Sequence, residues 1–332
     1  MRSPSGSNMN IPCMGLKTRK IDLNQLDFKD KTFLLSYGYD IQPLKQSIGR
    51  VGLLNPLIVR KKSDATYQIV CGYKRALALK QLGVSSVRCA VLPSERNDDE
   101  CLLLNIYDNV SHRELNPIEK SITIHKLKIY FTEEDIVQNF LPALKLQPHI
   151  TQLHVFQPLC KLEKGIQTAI LEGRISEHTA TKLSRMDCAS RRALGKLFVM
   201  LRLSVSKQME VLQYVSEIAI RENRSVGNVV SMPQMSAVLK NEKLSQHQKG
   251  EAVRTYLREL RYPQLTEKEK AFNRSIRKLK LSPDVSLKAP PFFEWDHYQI
   301  SFHFKDLNGL TKRLQELESL LNNRSLINII EG

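Results

Sequence analysis

The sequence of 332 residues has no hydrophobic run of the roughly 18 to 20 residues that a membrane-spanning helix requires. Its first ten residues are polar and lack the apolar core of a secretion signal. The six cysteines form no C-x-x-C pair, and several lie in apolar runs, which is typical of reduced thiols that behave as small hydrophobic side chains. These absences predict a soluble, cytoplasmic protein without a disulfide framework.

Several catalytic and metal-binding patterns are also missing. The eight histidines form no H-E-x-x-H pattern, and none pairs with a cysteine at zinc-finger spacing. There is no G-x-S-x-G turn, no G-x-x-x-x-G-K-[ST] loop and no G-x-G-x-x-G. The sequence therefore argues against zinc-dependent hydrolysis and against the common nucleotide loops, while a dispersed Ser-His-Asp or Cys-His set stays open.

Positive charge is the most prominent feature that is present. The chain has 50 Lys and Arg against 34 Asp and Glu, a formal charge of +16. Residues 181–280 alone carry 21 basic and nine acidic side chains. A localised block of positive charge is typical of a surface that binds a polyanion such as DNA, although a solubilising surface would have the same composition. Membrane binding is less favoured because the stretch lacks an aromatic-rich amphipathic face.

The first ordered unit is predicted to be an α+β domain over residues 21–126, after a disordered tail over 1–20. Leu44, Ile48 and Val51 repeat at helical spacing before Gly52, a C-terminal capping residue. A second helix is predicted over 74–82, after Gly72. The predicted strands are Leu57–Arg60, Tyr67–Val70 and Val87–Leu92, the first two forming a hairpin through the turn 61–66.

The remaining chain is predicted to contain an all-helical domain over 127–230, a basic and partly helical linker over 231–282 and a small terminal unit over 283–332. Within the last unit, apolar residues alternate with polar ones, which predicts a strand with one buried face; they are Tyr298, Ile300, Phe302 and Phe304. A heptad-like seam follows, formed by Leu307, Leu310, Leu314, Leu317 and Leu321. Two strands and one helix bury little surface, so we expect this unit to form a homodimer; the alternative is packing onto the same chain.

The turn after Cys71 is a candidate phosphate site. A strand, Gly72 and a helix that opens with Lys74 and Arg75 would place free backbone N–H groups and two cations at one point. Cations in the first turn oppose the helix dipole, so their presence there hints at an anionic ligand. A merely exposed helix start is an equally simple explanation.

Three stretches in this region resemble the boxes of ParB-type partition proteins, whose N-terminal domain binds CTP. They are Leu44–Val59 (LKQSIGRVGLLNPLIV), Gly72–Ala78 (GYKRALA, against GERRxRA) and Asp108–Glu119 (DNVSHRELNPIE, against ENxQRxDLNPIE). The resemblance implies CTP and Mg²⁺ as cofactors, with Asn109 toward the metal. The nucleotide-binding residues it implies are Gly52, Leu53, Leu54, Asn55, Pro56, Gly72, Tyr73, Lys74, Arg75, Asp108, Asn109, His112 and Arg113.

Departures from the family pattern fall on the positions that would contact phosphate. Tyr73 replaces an acid, Lys74 and Leu77 each replace an arginine, Asp108 replaces a glutamate and His112 replaces an arginine. A leucine or a mostly neutral imidazole cannot reproduce a bidentate guanidinium contact. The substitutions therefore predict weaker or altered nucleotide binding and, as an enzyme, at most a weak CTPase.

The helical domain continues the resemblance. Lys161–Met186 (KLEKGIQTAILEGRISEHTATKLSRM) is similar to the helices that follow the family's helix-turn-helix, which should itself lie near Thr132–Leu159 despite three prolines. A polar solvated face would explain the polar residues there equally well. The DNA-binding candidates are Thr151, Gln152, His154, Gln157, Arg174 and His178.

The resemblance thus implies an α+β N-terminal domain, an all-α helix-turn-helix domain and a small C-terminal ββα dimerisation unit. It implies a nucleoid-associated homodimer that binds double-stranded DNA in chromosome or plasmid partition, gated by CTP and served by a ParA-type ATPase. The alternative is a nucleotide-independent transcriptional regulator or nucleoid-associated protein. A small-molecule enzyme is disfavoured because sulfiredoxins, which share the N-terminal fold, place their cysteine after the turn glycines, whereas Cys71 precedes Gly72.

Overall fold

The computed structural model describes residues 16–62, 65–294 and 297–330. Most of the predicted tail and part of the predicted turn 61–66 lie outside these residues. The contacts divide the chain into two compact units, residues 1–209 and 210–332. The finer division into five segments stays a prediction.

The first unit begins with a five-stranded mixed sheet whose order is β1-β5-β3-β4-β2. Strand β1 pairs antiparallel with β5, β5 parallel with β3, β3 antiparallel with β4, and β4 parallel with β2. The hairpin predicted from the sequence is therefore confirmed. The strands are β1 (Thr18–Asp22), β2 (Leu26–Asp27), β3 (Leu57–Lys61), β4 (Tyr67–Cys71) and β5 (Ser86–Leu92).

Two helices, α1 (Gln42–Val51) and α2 (Tyr73–Gln81), contribute to a core with this sheet. Helix α1 ends at Gly52, as predicted, because its φ of 76° is a conformation that glycine adopts without strain. Cys89 lies fully buried in the core, and this burial raises the pKa of its thiol to about 11. The thiol therefore acts there as a small apolar side chain.

The sheet is followed by a run of helices, so the predicted change to an all-helical pattern is confirmed. Thr132 caps the short helix α5, which continues through a π-helical turn, Ile136–Phe140; Pro142, with no backbone N–H, follows this turn. Helix α6 begins two residues after Pro148. The helices are α3 (Asp98–His112), α4 (Pro117–Leu127), α5 (Glu133–Asp135), α6 (Ile150–Phe156), α7 (Lys164–Leu171), α8 (Glu177–Ser184), α9 (Cys188–Leu201) and α10 (Val205–Arg221).

Residues 231–282, predicted to be a partly helical linker, contain more helix in the structure than that prediction implied. Residues 231–282 contain three helices whose apolar side chains Met235, Val253 and Leu257 are fully buried. The many charged residues between these apolar positions give the segment the composition of a linker. The helices are α11 (Val226–Val230), α12 (Pro233–Lys240), α13 (Gln246–Arg261) and α14 (Pro263–Leu279).

The terminal segment has strands β6 (Val285–Lys288) and β7 (Gln299–Phe302), paired antiparallel, and two helices, α15 (Leu307–Leu320) and α16 (Arg324–Ile330). The predicted strand and first helix are present, and the second helix was not predicted. The predicted strand face is partly buried within the chain: Tyr298 packs on the core of the segment, whereas Ile300 is 42% exposed and Phe304, beyond the strand, is 54% exposed. No helix in the described ranges is both long and apolar enough to cross a membrane.

Candidate functional site

Gly72 connects the buried strand β4 to helix α2 in a left-handed conformation, with φ 91° and ψ 24°. A Cβ atom at this position would lie 2.8 Å from Leu57 Cδ2 and 3.0 Å from Arg75 Nε. Both the backbone and the available space therefore require glycine here. The tight turn places Lys74 and Arg75 in the first turn of α2, beside the end of a buried strand.

An open cleft of about 320 Å³ lies at this turn. The start of α2, the end of α3, Asn55 and the loop over residues 33–36 form its walls. Nine predicted nucleotide-binding residues line the cleft: Asn55, Gly72, Tyr73, Lys74, Arg75, Asp108, Asn109, His112 and Arg113. The structure thus brings together residues that are up to 58 positions apart in the chain, the span from Asn55 to Arg113.

The other predicted nucleotide contacts line a second cavity. Gly52, Leu53, Leu54 and Pro56 border a depression of about 720 Å³ between α1, α2 and β5. Its walls are mostly apolar, and Leu54 is 80% exposed. The predicted set is therefore split between two cavities; of the contacts predicted in the first box, Asn55 lines the cleft of the charged residues and the other four line the second cavity.

Arg75 is oriented by the chain that enters β3. Its Nη1 donates to the carbonyl oxygens of Asn55 at 3.0 Å and Pro56 at 3.3 Å, and its Nη2 lies 3.5 Å from Asp108 Oδ2. These contacts hold the guanidinium across the cleft between the first and third sequence boxes. Remaining N–H groups of a guanidinium can donate to an anion.

Lys74 differs from Arg75 because no carboxylate among the described residues forms an ion pair with it. Its Nζ lies 4.1 Å from the centre of the Tyr39 ring, a cation–π contact. Burial lowers the pKa of Lys74, Arg113 lowers it further by charge repulsion, and Glu119 opposes the shift. A cation that is partly desolvated and lacks a counter-ion is suited to binding an anion.

Arg113 lies in the cleft, although the family pattern has its arginine one position earlier. Helix α3 ends at His112, and Arg113 is extended with φ −157° and ψ 161°. Its guanidinium donates to Asn109 Oδ1 at 3.0 Å, to Glu119 Oε2 at 2.6 Å and to Ser36 Oγ at 3.4 Å. His112 is 68% exposed and its Nε2 lies 3.9 Å from Asp108 Oδ1.

Glu119 is the most buried charged group beside the cleft, with 1% of its side chain exposed. It accepts hydrogen bonds from Arg113, from the backbone N–H of Tyr37 at 3.1 Å and from that of Asn116 at 3.0 Å. Asn116 in turn donates to the Tyr37 carbonyl at 3.0 Å. These bonds hold the 33–37 loop against the start of α4.

Three residues in or beside the cleft were not among the predicted site residues: Ser36 lines it, Glu119 pairs with Arg113, and Tyr39 contacts Lys74. Glu119 belongs to the third sequence box, and its buried-carboxylate role could have been inferred from the capping pattern N-x-x-E. Ser36 and Tyr39 lie in a segment without regular secondary structure or a recognisable motif. No sequence signal identified them.

Asp108 and Asn109 contribute side-chain oxygens to the cleft, and Asn109 Oδ1 would have to release Arg113 to bind a cation. Asn109 Nδ2 donates to the Asn105 carbonyl at 2.9 Å, which leaves its Oδ1 directed toward Arg113. In the described part of the chain, no cluster of three or more His, Cys, Asp or Glu could hold a metal ion. Mg²⁺ commonly binds through one or two protein oxygens with phosphate oxygens and water supplying the rest, so the donor set fits Mg²⁺ brought by a nucleotide.

The predicted DNA-binding residues lie on α6 and α8 and in the turns next to these helices. On α6, Thr151 and His154 are exposed, while Gln152 is half-buried. On α8, His178 is exposed, and Thr181 Oγ1 donates to the Val155 carbonyl of α6 at 2.8 Å. These contacts place α6 and α8 side by side.

Two predicted DNA contacts have other partners. The Gln157 carbonyl accepts from Ser121 Oγ at 3.3 Å, which joins the end of α6 to α4, and the side chain is half-buried. Arg174 Nε lies 3.0 Å from Glu172 Oε2 in the turn before α8. This ion pair reduces the positive charge that Arg174 presents.

Comparison with known proteins identifies the class of the first domain. Residues 16–110 match the family described as ParB N-terminal domain. The matched residues contain the first two sequence boxes and the beginning of the third, so the resemblance to ParB-type proteins is confirmed for this segment.

Similarity to particular proteins extends over about half of the chain. The nucleoid occlusion protein of Oceanobacillus iheyensis is 30% identical over 147 residues, which cover 44% of this chain and 49% of the relative. The probable chromosome-partitioning protein ParB of Pseudomonas putida is 25% identical over 179 residues, covering 53% and 59%. The chain thus spans about half the length of the curated relatives it matches.

One solved structure in the comparison is the C-terminally truncated chromosome-partitioning protein ParB of Caulobacter crescentus complexed to the centromeric parS site. It is 21% identical, with a TM-score of 0.36, and the overlap covers 59% of this chain and 98% of that chain.

Proposed function

We propose that the chain is a DNA-binding, ParB-like partition or nucleoid protein whose grip on double-stranded DNA is gated by a cytidine nucleotide with Mg²⁺. The observation that carries the proposal is the convergence of Lys74, Arg75, Asn109 and Arg113 on one cleft at the N-terminus of α2. The names of the matched relatives, a nucleoid occlusion protein and a chromosome-partitioning protein, support the DNA-binding class.

In this proposal the nucleotide phosphates lie against the first turn of α2. Backbone N–H groups at the helix start and the Lys74 ammonium bind phosphate oxygens, and Arg75 donates from a position fixed by the carbonyl groups of Asn55 and Pro56. Asp108 and Asn109 hold the Mg²⁺, which neutralises phosphate charge. The family pattern has an arginine at the position of His112, and Arg113 supplies the guanidinium in its place.

We propose that α4 carries the coupling between nucleotide and DNA. Its first turn holds Glu119, the partner of Arg113, and its middle turn holds Ser121. Ser121 Oγ donates to the Gln157 carbonyl at the end of α6 and accepts from the Cys160 N–H at 2.8 Å. A ligand in the cleft that pulls on Arg113 therefore acts, through Glu119, on α4, the helix against which α6 packs. Thr151 and His154 of α6 and His178 of α8 are the residues proposed to contact DNA.

Isothermal calorimetry with CTP, ATP, GTP and UTP, each with Mg²⁺ and with or without duplex DNA, tests the proposal. We expect CTP to bind and DNA affinity to change when CTP is present. If no nucleotide binds, the switch is removed and a plain DNA-binding protein remains. Nucleotide-dependent retention on closed circular but not linear DNA would further support a partition-type clamp.

A nucleotide-independent DNA-binding regulator is the second candidate, and one observation favours it. Arg75 lies beside Asp108 and Arg113 beside Glu119, so each guanidinium in the cleft already has a carboxylate partner. Together with Leu77 and His112 in place of arginines, this pairing reduces the positive charge available to a triphosphate. DNA affinity that no nucleotide changes would select this candidate.

The pH dependence of nucleotide binding reports the protonation state of Lys74. A bound phosphate should raise the pKa of Lys74 from its lowered value in the free protein. The contribution of Lys74 to affinity is then fully present below the free-protein pKa and is lost as pH rises through that value and the bound one. We expect affinity to begin falling below the ordinary lysine pKa of 10.5.

The matched variant for this measurement is Lys74→Arg, because a guanidinium stays charged over the same range. Calorimetric affinities measured across alkaline pH should fall for the parent chain and stay nearly level for the variant. Parallel falls in both chains would assign the titration to another group, such as Tyr39.

We further propose that the chain is a homodimer through the terminal segment. Ile300 of the predicted strand face is 42% exposed, and Leu307, Leu314 and Leu321 of the predicted seam are 79%, 52% and 69% exposed, whereas Leu317 of that seam packs on the core of the segment. A second copy would cover the exposed side chains of the seam. A ParA-type ATPase as a partner, and nucleoid association in the cytoplasm, complete the proposed function.

Sedimentation equilibrium tests the dimer. The double variant Leu314→Glu/Leu321→Glu should sediment as a monomer at concentrations where the parent chain is a dimer, because burying carboxylates at the interface is costly. Ile220→Glu is the control, since Ile220 is 81% exposed on α10. Equal masses for all three chains would contradict the interface.

A further inference from the structure

Within the basic stretch that gives the chain most of its positive charge, α13 and the end of α14 differ in their ion pairing. In α13, the arginines are neutralised within the second unit. Arg254 pairs with Glu210 at 2.5 Å and with Glu251 at 2.8 Å, Arg258 pairs with Glu269 at 2.6 Å, and Arg261 pairs with Glu217. These side chains hold helices together and are not available to a partner.

The last turns of α14 have a different arrangement. Arg274, Arg277 and Lys278 are exposed, and none forms an ion pair with a carboxylate of the described residues. Arg274 Nε contacts only the carbonyl oxygen of Lys270, one helical turn earlier, at 3.3 Å. We call these three residues the α14 basic face.

The three cations lie on one side of the helix because they are spaced i, i+3 and i+4. The opposite side carries Phe272, Ile276 and Leu279, which pack on the small core of Leu287, Leu320 and Leu326. The buried side fixes the direction in which the basic face points. Like charges at this spacing repel, so the arrangement reduces helix stability unless an anion covers it.

The location near a helix C-terminus favours a cation but does not account for three adjacent ones without counter-ions. The Cβ atoms of positions three or four residues apart on the face are about 5 to 6 Å from each other, so the three cations form one compact patch that suits a polyanion. An anionic membrane is a poorer match because the apolar side of α14 is already used in the core and cannot insert.

We propose that the α14 basic face is a second, sequence-independent contact for the phosphate backbone of duplex DNA. This inference rests on the proposed DNA-binding function and assigns part of it to a surface outside α6 and α8. The arginines can each bind phosphate through two N–H groups, while the lysine contributes a single ammonium.

The test measures how DNA affinity depends on salt. The variant Arg274→Gln/Arg277→Gln/Lys278→Gln removes three exposed charges, so helix content and the thermal transition should be retained. In fluorescence anisotropy with a duplex of arbitrary sequence, the slope of log K against log salt concentration should become shallower by about 2 to 3.

The control is Lys288→Gln/Lys305→Gln/Lys312→Gln, which makes the same change in net charge at three exposed lysines of the same unit. Its slope should stay within about one unit of the parent chain. Equal slopes for all chains, or equal losses in both variants, would overturn the assignment to α14. Loss of binding to anionic phospholipid vesicles with unchanged DNA binding would overturn it in favour of a membrane.

The two proposals fail in different ways in this experiment. If the parent chain binds no duplex, the proposed function fails. If the parent chain binds DNA and responds to CTP, and the α14 variant has the parental salt slope, only the α14 contact fails.

Discussion

Replacing Glu119 with alanine should destabilise the first unit by about 3 kcal/mol, because removing one partner of a buried ion pair leaves the other charge without a counter-ion. The Glu119 side chain is 1% exposed and accepts hydrogen bonds from the Arg113 guanidinium and from the backbone N–H groups of Tyr37 and Asn116. Arg113 is 31% exposed and can turn toward water, so the expected loss lies at the lower end for such pairs. The two N–H groups would lose their acceptor.

Hydrogen exchange of the amides in α4 and at Tyr37 measures this effect locally, which suits a chain that has two compact units. Glu134→Ala is the control, because Glu134 is an exposed glutamate of the same unit, on α5. Protection in α4 should fall in the first variant and stay unchanged in the control. Equal protection in both would show that the Glu119 pair does not fix this region.

Replacing Arg75 with alanine should weaken nucleotide binding by roughly 10- to 100-fold, the loss expected for a hydrogen-bonded contact with a charged partner. Arg75 is held by the carbonyl oxygens of Asn55 and Pro56, so its guanidinium is already ordered before a ligand arrives. Affinity for DNA without nucleotide should stay nearly the same, because Arg75 is not among the residues of α6 and α8 proposed to contact DNA.

Calorimetry with CTP and anisotropy with duplex DNA separate these two effects. Arg50→Ala serves as the matched control, since Arg50 is an exposed arginine in the last turn of α1. It should leave both affinities unchanged. If Arg75→Ala bound CTP as tightly as the parent chain, the cleft would not be the phosphate site.

The elements around the cleft could be predicted because local sequence signals agree there. Gly52 ends α1 and Gly72 precedes α2, each with a positive φ angle. The apolar residues between them follow the period of the secondary structure that they form. The convergence of Arg75, Asp108 and Asn109 followed from the family resemblance. Periodicity alone would not have joined segments so far apart in the chain.

Other features depend on contacts that a sequence pattern does not contain. The position of Arg113 follows from where α3 ends, and helix ends are uncertain by a residue or two in sequence patterns. Tyr39 lies in an irregular loop. In α13, only Gly250, Val253 and Leu257 are buried, and most other residues are polar or charged. The sequence of this helix therefore has the composition of a linker, and the pairing of its arginines with glutamates elsewhere is not visible in the sequence.

The fixed loop over residues 33–37 determines how a ligand can reach the cleft. The loop is joined to α4 by Asn116 and Glu119, and Lys126 Nζ donates to the carbonyl oxygens of Lys31 and Thr32 just before it. This wall cannot swing outward as a flap without breaking those bonds. In the proposed function, a nucleotide that leaves these bonds intact enters along the open side of the cleft, where the imidazole of His112 is 68% exposed.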